Sequence, residues 1–251
     1  MAGHSKWANI QHRKGKQDKL RAKAFTKVGR EIIVAAKLGG GDPEMNPRLR
    51  LAISKAKAVN MPNDRIKRAI DTGAGNSDQT NYEEVRYEGY GVGGVAIVVD
   101  ALTDNRARTF AEVRTAFTKG GGNLGEEGSV GFMFDRVGTV MYAAGKASAD
   151  DMFEAAVEAG AENCESDDEF HNITTSMEDL AAVRDALEAK YGEAEKAELI
   201  WQPNTMSEPS VDHAVSVMNM VEVLEDDDDV QVVTTNMEMS DEIMEKLMVE
   251  G

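Results

Sequence analysis

The chain has 251 residues, with 28 Lys and Arg against 45 Asp and Glu, so its formal net charge is −17. Taken as a whole, this acidity argues against nucleic-acid binding, because a polyanion is repelled by a surface of its own sign. Hydrophobic residues make up 41% of the chain, which is enough for ordinary cores and excludes wholesale disorder.

The charge is divided unevenly along the chain. Residues 1–75 contain 17 Lys and Arg and 6 Asp and Glu, a net +11, whereas residues 76–251 contain 11 and 39, a net −28. A basic N-terminal segment is therefore joined to a strongly acidic remainder, and the basic segment becomes the candidate for polyanion binding. At about 100–200 residues per domain, the length suggests two domains or three small ones.

The basic segment is predicted to start with an irregular arm and to continue as three helices. Apolar residues recur at helical spacing from Gln17 to Leu38, and three glycines at 39–41 end this first helix. An Asn-Pro pair at 46–47 is typical of a helix start and predicts a second helix to about Asn60. A short third helix is expected from Asn63 to Gly73.

Six cations of the first helix share a sector of about 80°, largely opposite its apolar face. This cationic stripe consists of Lys16, Lys19, Lys23, Lys27, Arg30 and Lys37. Its members do not alternate with acids along the stripe, although Glu31 follows Lys27 at i,i+4 spacing, and they repel one another, which favours the binding of phosphates. A second use is also open, in which the stripe docks on the acidic part of the same chain.

The residues predicted to contact nucleic acid lie in the arm, on the stripe and on the second helix. Lysine and arginine would contact phosphates, and the Trp7 ring would stack on bases. They are Lys6, Trp7, Arg13, Lys14, Lys16, Lys19, Lys23, Lys27, Arg30, Arg48, Arg50 and Lys55.

In the acidic remainder, segments typical of strands and helices alternate. Strands are expected at 95–100, 129–134, 138–142 (with a break near Asp135-Arg136), 170–175, 197–202 and 230–235, and helices at 105–119, 150–158, 177–191 and 211–224. This order fits two split β-α-β units. The predicted fold class is α+β multidomain, a three-helix unit plus two ferredoxin-like domains, one inserted in the other. The predicted domain limits are 1–75, 82–135 with 205–245, and 136–204.

Two glycine patterns fit G-x-G-x-x-G, the first from Gly89 to Gly94 and the second from Gly120 to Gly125. A dinucleotide site needs these glycines between a strand and the helix that follows it. The first pattern instead precedes a strand, and the second follows a helix. Both are therefore interpreted as turn glycines.

No set of residues predicts catalysis, a metal site or a cofactor. The single cysteine, Cys164, lies among acidic residues that would raise the pKa of its thiol. Five consecutive acids at 225–229 do not converge without a shaped loop, so a solvated acidic turn is expected.

No apolar run approaches the roughly 20 residues of a membrane span, and no secretory signal is evident, so a cytoplasmic protein is expected.

Several blocks carry a family resemblance: Met1–Ile10 (MAGHSKWANI), Ala35–Pro43 (AAKLGGGDP), Tyr87–Gly91 (YEGYG), Gly121–Gly125 (GGNLG) and Leu224–Gln231 (LEDDDDVQ). Together they resemble the YebC family of bacterial regulatory proteins. The resemblance implies a helical N-terminal unit and two α+β units, the last inserted into the second. It also implies a probable transcriptional regulator that binds DNA. Mitochondrial relatives are described as translational activators, and bacterial members have been proposed to act on ribosomes.

The leading hypothesis is a non-enzymatic regulator of gene expression that binds DNA through its basic N-terminal domain. One alternative is a translation factor that acts on the ribosome or on messenger RNA. Another is a protein–protein adaptor that uses the acidic domains. No predicted helix groups side chains suited to reading base edges, so we expect phosphate contacts that position the protein without reading sequence. The oligomeric state is left open.

Overall fold

The computed structural model describes residues 17–75, 81–240 and 243–244, with side chains described from residue 21 onward. Its N-terminal unit contains helices α1 (Gln17–Gly39), α2 (Pro47–Ala58) and α3 (Asn63–Ala74). Their apolar faces meet in one core that includes Ile32, Leu49 and Ile66. The three helices predicted from spacing are confirmed.

The connection between α1 and α2 is held by Asn46, which is buried. Its side-chain oxygen accepts a hydrogen bond from the Leu49 amide at 3.1 Å, as expected for a helix cap. Its amide nitrogen donates to the carbonyl oxygens of Ala35 and Gly40, both at 2.8 Å. Gly40 has a φ of +86°, which suits glycine and ends α1 as predicted.

Gly73 does not end α3 as predicted, because the helix continues through Ala74. A Cβ atom at position 73 would lie 2.3 Å from the carbonyl oxygen of Ile33 in α1. The glycine is therefore required by the close approach of two helices.

We expect Gly73→Ala to destabilise the protein by about 2 kcal/mol, because the added methyl group meets the α1 backbone. Gly29→Ala is the matched control, since a Cβ at that helical position meets nothing within 4 Å. The control should be neutral or slightly stabilising. Urea unfolding of both variants checks this, and equal stability of the two would contradict the packing role of Gly73.

The first sheet has the strand order β3-β1-β2-β8, with all neighbours antiparallel. Its strands are β1 (Glu83–Tyr90), β2 (Ala96–Thr103), β3 (Asn123–Leu124) and β8 (Val230–Thr235). Helices α4 (Arg106–Lys119) and α7 (Val211–Glu225) share its hydrophobic core, with Phe117 and Leu224 among the buried residues.

The second sheet has the order β5-β6-β4-β7, again antiparallel throughout. Its strands are β4 (Phe134–Ala143), β5 (Asn163–Ser166), β6 (Phe170–Thr175) and β7 (Lys196–Pro203). Helices α5 (Ala149–Glu158) and α6 (Leu180–Tyr191) pack on it. This order is that of a split β-α-β unit, and the segment lies between β3 and β8 of the first sheet.

Two strand predictions are wrong. The segment 129–134 is not a strand, because 131–133 form a 3₁₀ turn and β4 begins only at Phe134. Asp135 and Arg136 do not interrupt β4, since both pair with β7. Strand β1 is missing from the prediction, because four of its eight residues are charged.

Trp201 of β7 joins the two sheets. Its indole nitrogen donates to Asp100 of β2 at 2.8 Å. The guanidinium carbons of Arg86 and Arg136 lie 4.1 and 4.9 Å from the centre of its ring system. Such cation–π contacts, together with the carboxylate between the two arginines, stabilise one relative orientation of the sheets.

The predicted fold class, α+β with an N-terminal helical unit and two sheet domains, is confirmed. The exact domain limits stay a prediction. Within the described residues, no helix combines the length and the apolar character that crossing a bilayer requires.

Candidate nucleic-acid interface

Helix α1 is buried on two sides. Its apolar side packs on α2 and α3 through residues such as Ile32 and Ala36. On the other side, the stripe cations Lys23, Lys27 and Arg30 face the first sheet domain, and Val34 on that side is also buried. This part of the stripe is therefore a contact surface within the chain.

Three members of the stripe contact residues 225–229, which we call the acidic loop. The Lys23 amine lies 2.5 Å from an Asp226 carboxylate oxygen and 3.0 Å from the Asp226 carbonyl oxygen. The Lys27 amine donates to the Glu225 carbonyl oxygen at 2.8 Å. The alternative raised from the sequence, a stripe docked on the acidic part of its own chain, describes this arrangement.

Arg30 completes the contact at the inner end of the loop. It donates to the Asp228 carbonyl oxygen at 2.5 Å and to an Asp229 carboxylate oxygen at 2.6 Å. Its guanidinium also lies over the ring of Tyr82, at 5.2 Å from the centroid. Arg30 thus keeps only 15% of its side chain exposed.

Asp229 is the central acceptor of this contact and is almost fully buried. Its second carboxylate oxygen accepts hydrogen bonds from Thr103 at 3.1 Å, Thr109 at 2.8 Å and Arg108 at 2.5 Å. Burial alone would raise the pKa of Asp229, but the hydrogen bonds from Arg108, Thr109 and Arg30 outweigh it and lower the pKa below its ordinary value. The carboxylate therefore remains ionised and holds α1 and α4 together.

Two of the three predicted contacts on α2, Arg48 and Lys55, are also engaged within the chain. Arg48 pairs with Glu31 at 3.0 Å and with Glu84 of β1. Burial would lower the pKa of Arg48, but Glu31 and Glu84 raise it above its ordinary value. Lys55 lies 3.4 Å from Glu198 of β7. The buried Arg50 Nε atom has no hydrogen-bond partner among the described residues.

The remaining predicted contacts belong to the arm and the start of α1. Lys6, Trp7, Arg13, Lys14 and Lys16 lie outside the described residues. Lys19 belongs to α1, but its side chain is not described. Their role stays a prediction.

Several exposed cations of the helical unit were not among the predicted contacts, and one of them, Arg65, lies over the ring of Phe25. Four others are Arg21, Lys57, Lys67 and Arg68, and within the described part of the chain none of these four forms a hydrogen bond or ion pair through its side chain. We call these four the exposed cations.

A cavity of about 890 Å³ opens beside the acidic loop, between α1, α4 and α7. Carboxylate oxygens of Glu112, Asp227 and Asp229 approach within 4.8 Å of one another at its wall. Burial, and then the neighbouring Asp227, raise the pKa of Glu112. Among the described residues these three could hold a cation, but Arg108 and Arg30 already neutralise Asp229.

The rejected motifs have structural roles. Gly89 lies inside β1, not in a turn as predicted. A Cβ atom at position 89 would lie 2.6 Å from the Asn123 carbonyl oxygen. Gly121, at the turn after α4, has a φ of +73°. Cys164 is half-buried, and burial raises the pKa of its thiol despite an opposing hydrogen bond with Ser166, while Glu165 adds a smaller increase. The direction matches the prediction, although burial is the larger cause.

Glu88 of β1 anchors the segment that follows β3. This buried carboxylate accepts hydrogen bonds from the backbone amides of Val130 at 2.9 Å and Gly131 at 2.7 Å. The Gly125 amide donates to the Glu88 carbonyl oxygen at 2.8 Å. The glycine-rich segment is therefore fixed to the sheet.

Comparison with known proteins gives two family matches. Residues 5–76 match the model described as the TACO1/YebC protein N-terminal domain, and residues 82–237 match the TACO1/YebC second and third domain. The chain is also similar to the crystal structure of a conserved hypothetical protein from Aquifex aeolicus. The two share 46% sequence identity with a TM-score of 0.83, over 91% of this chain and 95% of that one.

Proposed function

Because the chain belongs to the TACO1/YebC family, we propose that it is a non-enzymatic regulator of gene expression that binds nucleic acid through its basic N-terminal unit. The observation that carries the proposal is the charge separation, +11 over residues 1–75 against −28 over the rest. A phosphate backbone is attracted to the first part and repelled by the second, so the N-terminal unit is the side that approaches it.

The exposed cations supply the first phosphate contacts in this proposal. Their side chains have no partner within the described residues, so no intramolecular contact has to break when a phosphate approaches. The predicted arm residues Lys6, Arg13 and Lys14 add positive charge, and Trp7 adds a ring that can stack on bases.

DNA is the first candidate among nucleic acids, as the family resemblance implies. Phosphate contacts position a protein without reading base sequence. RNA offers the same phosphate chemistry, so the experiments below compare a short duplex DNA with an RNA hairpin. Tighter binding of the hairpin would direct the proposal toward messenger or ribosomal RNA.

We expect the triple variant Lys57→Glu, Lys67→Glu, Arg68→Glu to bind a fluorescent duplex DNA at least about 30-fold more weakly than the parent at the same salt concentration. Each substitution replaces an attraction to phosphate with a repulsion. Fluorescence anisotropy measures the affinity, and a thermal melt shows whether the variant is folded.

The matched control reverses the same number of exposed cations in the acidic part of the chain, with Arg114→Glu, Lys146→Glu and Lys190→Glu. Its change in net charge is identical, but it does not alter the N-terminal unit. We expect an affinity within about threefold of the parent, since the control changes only longer-range, salt-screened interactions. Equal losses in both variants would contradict a localised interface.

A further inference from the structure

The contact between the cationic stripe and the acidic loop bears on how the proposed interface is regulated. Three cations that could bind phosphates already have anionic partners in their own chain. They lie about one helical turn apart on α1, and each reaches an oxygen atom of the loop. The loop thus presents a row of oxygen acceptors to a row of cations, as a phosphate backbone would.

We infer that the acidic loop is an autoinhibitory segment, which covers the cationic stripe and is displaced when nucleic acid binds there. The inference rests on the proposed function, because the competitor is the same polyanion. Nucleic acid would first reach the exposed cations and the arm. The loop would then leave Lys23 and Lys27, which become additional phosphate contacts.

The outer part of the contact is suited to exchange. Asp226 keeps 64% of its side chain exposed while it contacts Lys23. Lys23 is more enclosed, with 19% of its side chain exposed, but an ion pair with one carboxylate open to water is still screened by salt. The Lys27 amine donates to a carbonyl oxygen of the loop, which a phosphate oxygen could replace.

In the closed contact, burial disfavours the charged forms of Lys27 on the stripe and Glu225 on the loop. It lowers the pKa of Lys27 despite the opposing effect of Glu225, and it raises the pKa of Glu225 despite the opposing effect of Lys27. Opening the contact returns the half-buried Lys27 to water, whereas Glu225 already belongs to the exposed residues. The closed form is therefore an arrangement that a stronger polyanion can displace.

The inner part of the contact, at Asp229, is not suited to exchange with a phosphate. Asp229 is held by Thr103, Thr109 and Arg108 of its own domain as well as by Arg30. We therefore place the displaceable segment at Glu225–Asp228 and keep Asp229 as its fixed end.

The test is the double variant Glu225→Gln, Asp226→Asn in the full chain, with fluorescent duplex DNA and an RNA hairpin as probes. Weakening the competitor should tighten binding about 5- to 10-fold for the probe that the parent prefers. The affinity of the loop variant should also fall more steeply with salt concentration. In the parent, the loop carboxylates that leave the stripe take up cations and so reduce the net number of cations released on binding. The variant has two fewer such carboxylates.

The matched control is Glu154→Gln, Glu158→Gln on α5, which removes two exposed carboxylates far from the stripe in sequence. If the loop variant binds no tighter than this control, the autoinhibitory loop is wrong, although the proposed function stands as long as the parent binds. If the parent binds neither probe, the proposed function itself fails.

If the double substitution disturbs folding, the single change Asp226→Asn at this exposed side chain serves as the loop variant, and Lys23→Gln then tests the coupling. Lys23→Gln should weaken binding only slightly in the parent, where Lys23 is covered, and by a several-fold larger factor in the loop variant. Equal losses in both backgrounds would overturn the inference, because Lys23 would then contribute independently of the loop.

Discussion

Replacing Asp229 by Asn is expected to lower the free energy of unfolding by about 2–3 kcal/mol at neutral pH, since charge-assisted hydrogen bonds from Arg30 and Arg108 are lost together. The carboxylate is almost fully buried and accepts from groups on α1, β2 and α4. Its replacement leaves two guanidinium groups short of their acceptor. Urea unfolding followed by circular dichroism measures the change.

The pH dependence of the free energy of unfolding tests whether the charge of Asp229 causes this stabilisation. Because the folded pKa of Asp229 lies below the ordinary value, its stabilisation is complete above the ordinary Asp pKa of about 3.9 and is lost as pH falls through the folded pKa. The difference between the parent and Asp229→Asn should therefore shrink in acid. A difference that stays constant across this range would show that the charge of Asp229 is not what stabilises the contact.

Replacing Glu88 by Ala should destabilise the protein by about 3 kcal/mol, because two buried backbone amides lose their acceptor. Val130 and Gly131 donate to the same carboxylate oxygen, so one truncation leaves both without a partner. Glu88→Gln keeps an oxygen acceptor and should cost about 1 kcal/mol. Thermal and urea unfolding measure both values.

The control for Glu88 is Glu126→Ala, which removes an exposed carboxylate from the segment that Glu88 anchors. It should change stability by less than about 0.5 kcal/mol. If Glu88→Ala were as mild as this control, the buried carboxylate would not be what fixes the segment to β1.

The helical unit was predictable because its signals are local. Apolar spacing identified α1, the glycines after residue 38 ended it, and the Asn46-Pro47 pair predicted the start of α2. Gly73 was misread because a glycine near a helix end is usually a cap, whereas here its lack of a side chain allows contact with Ile33.

The partner of the cationic stripe was beyond the reach of local patterns. Lys23 and Asp226 are 203 residues apart in sequence, and periodicity carries no information on which distant segment covers a helix face. Lys23, Lys27 and Arg30 do contact one loop from one side of α1, as members of a shared helix face would. The partner of the stripe could only be raised as an alternative, because phosphates and carboxylates satisfy lysine and arginine equally well.

Strand β1 was missed for a related reason. The search for strands relied on apolar runs, and β1 alternates charged with buried residues (EEVRYEGY). Glu88 points inward, against the usual pattern, because it accepts hydrogen bonds from a segment more than forty residues away. A buried charge paired with backbone amides leaves no periodic trace in the sequence.

Photocrosslinking of the intact chain to nucleic acid, with mass-spectrometric mapping of the crosslinked peptides, tests the proposed interface most directly. We expect the crosslinks to fall within residues 1–75, on the arm and on peptides that carry the exposed cations. The recovered nucleic acid identifies DNA or RNA as the partner. Crosslinks confined to the acidic remainder, or none above the level of a non-binding protein, would contradict a nucleic-acid interface on the N-terminal unit.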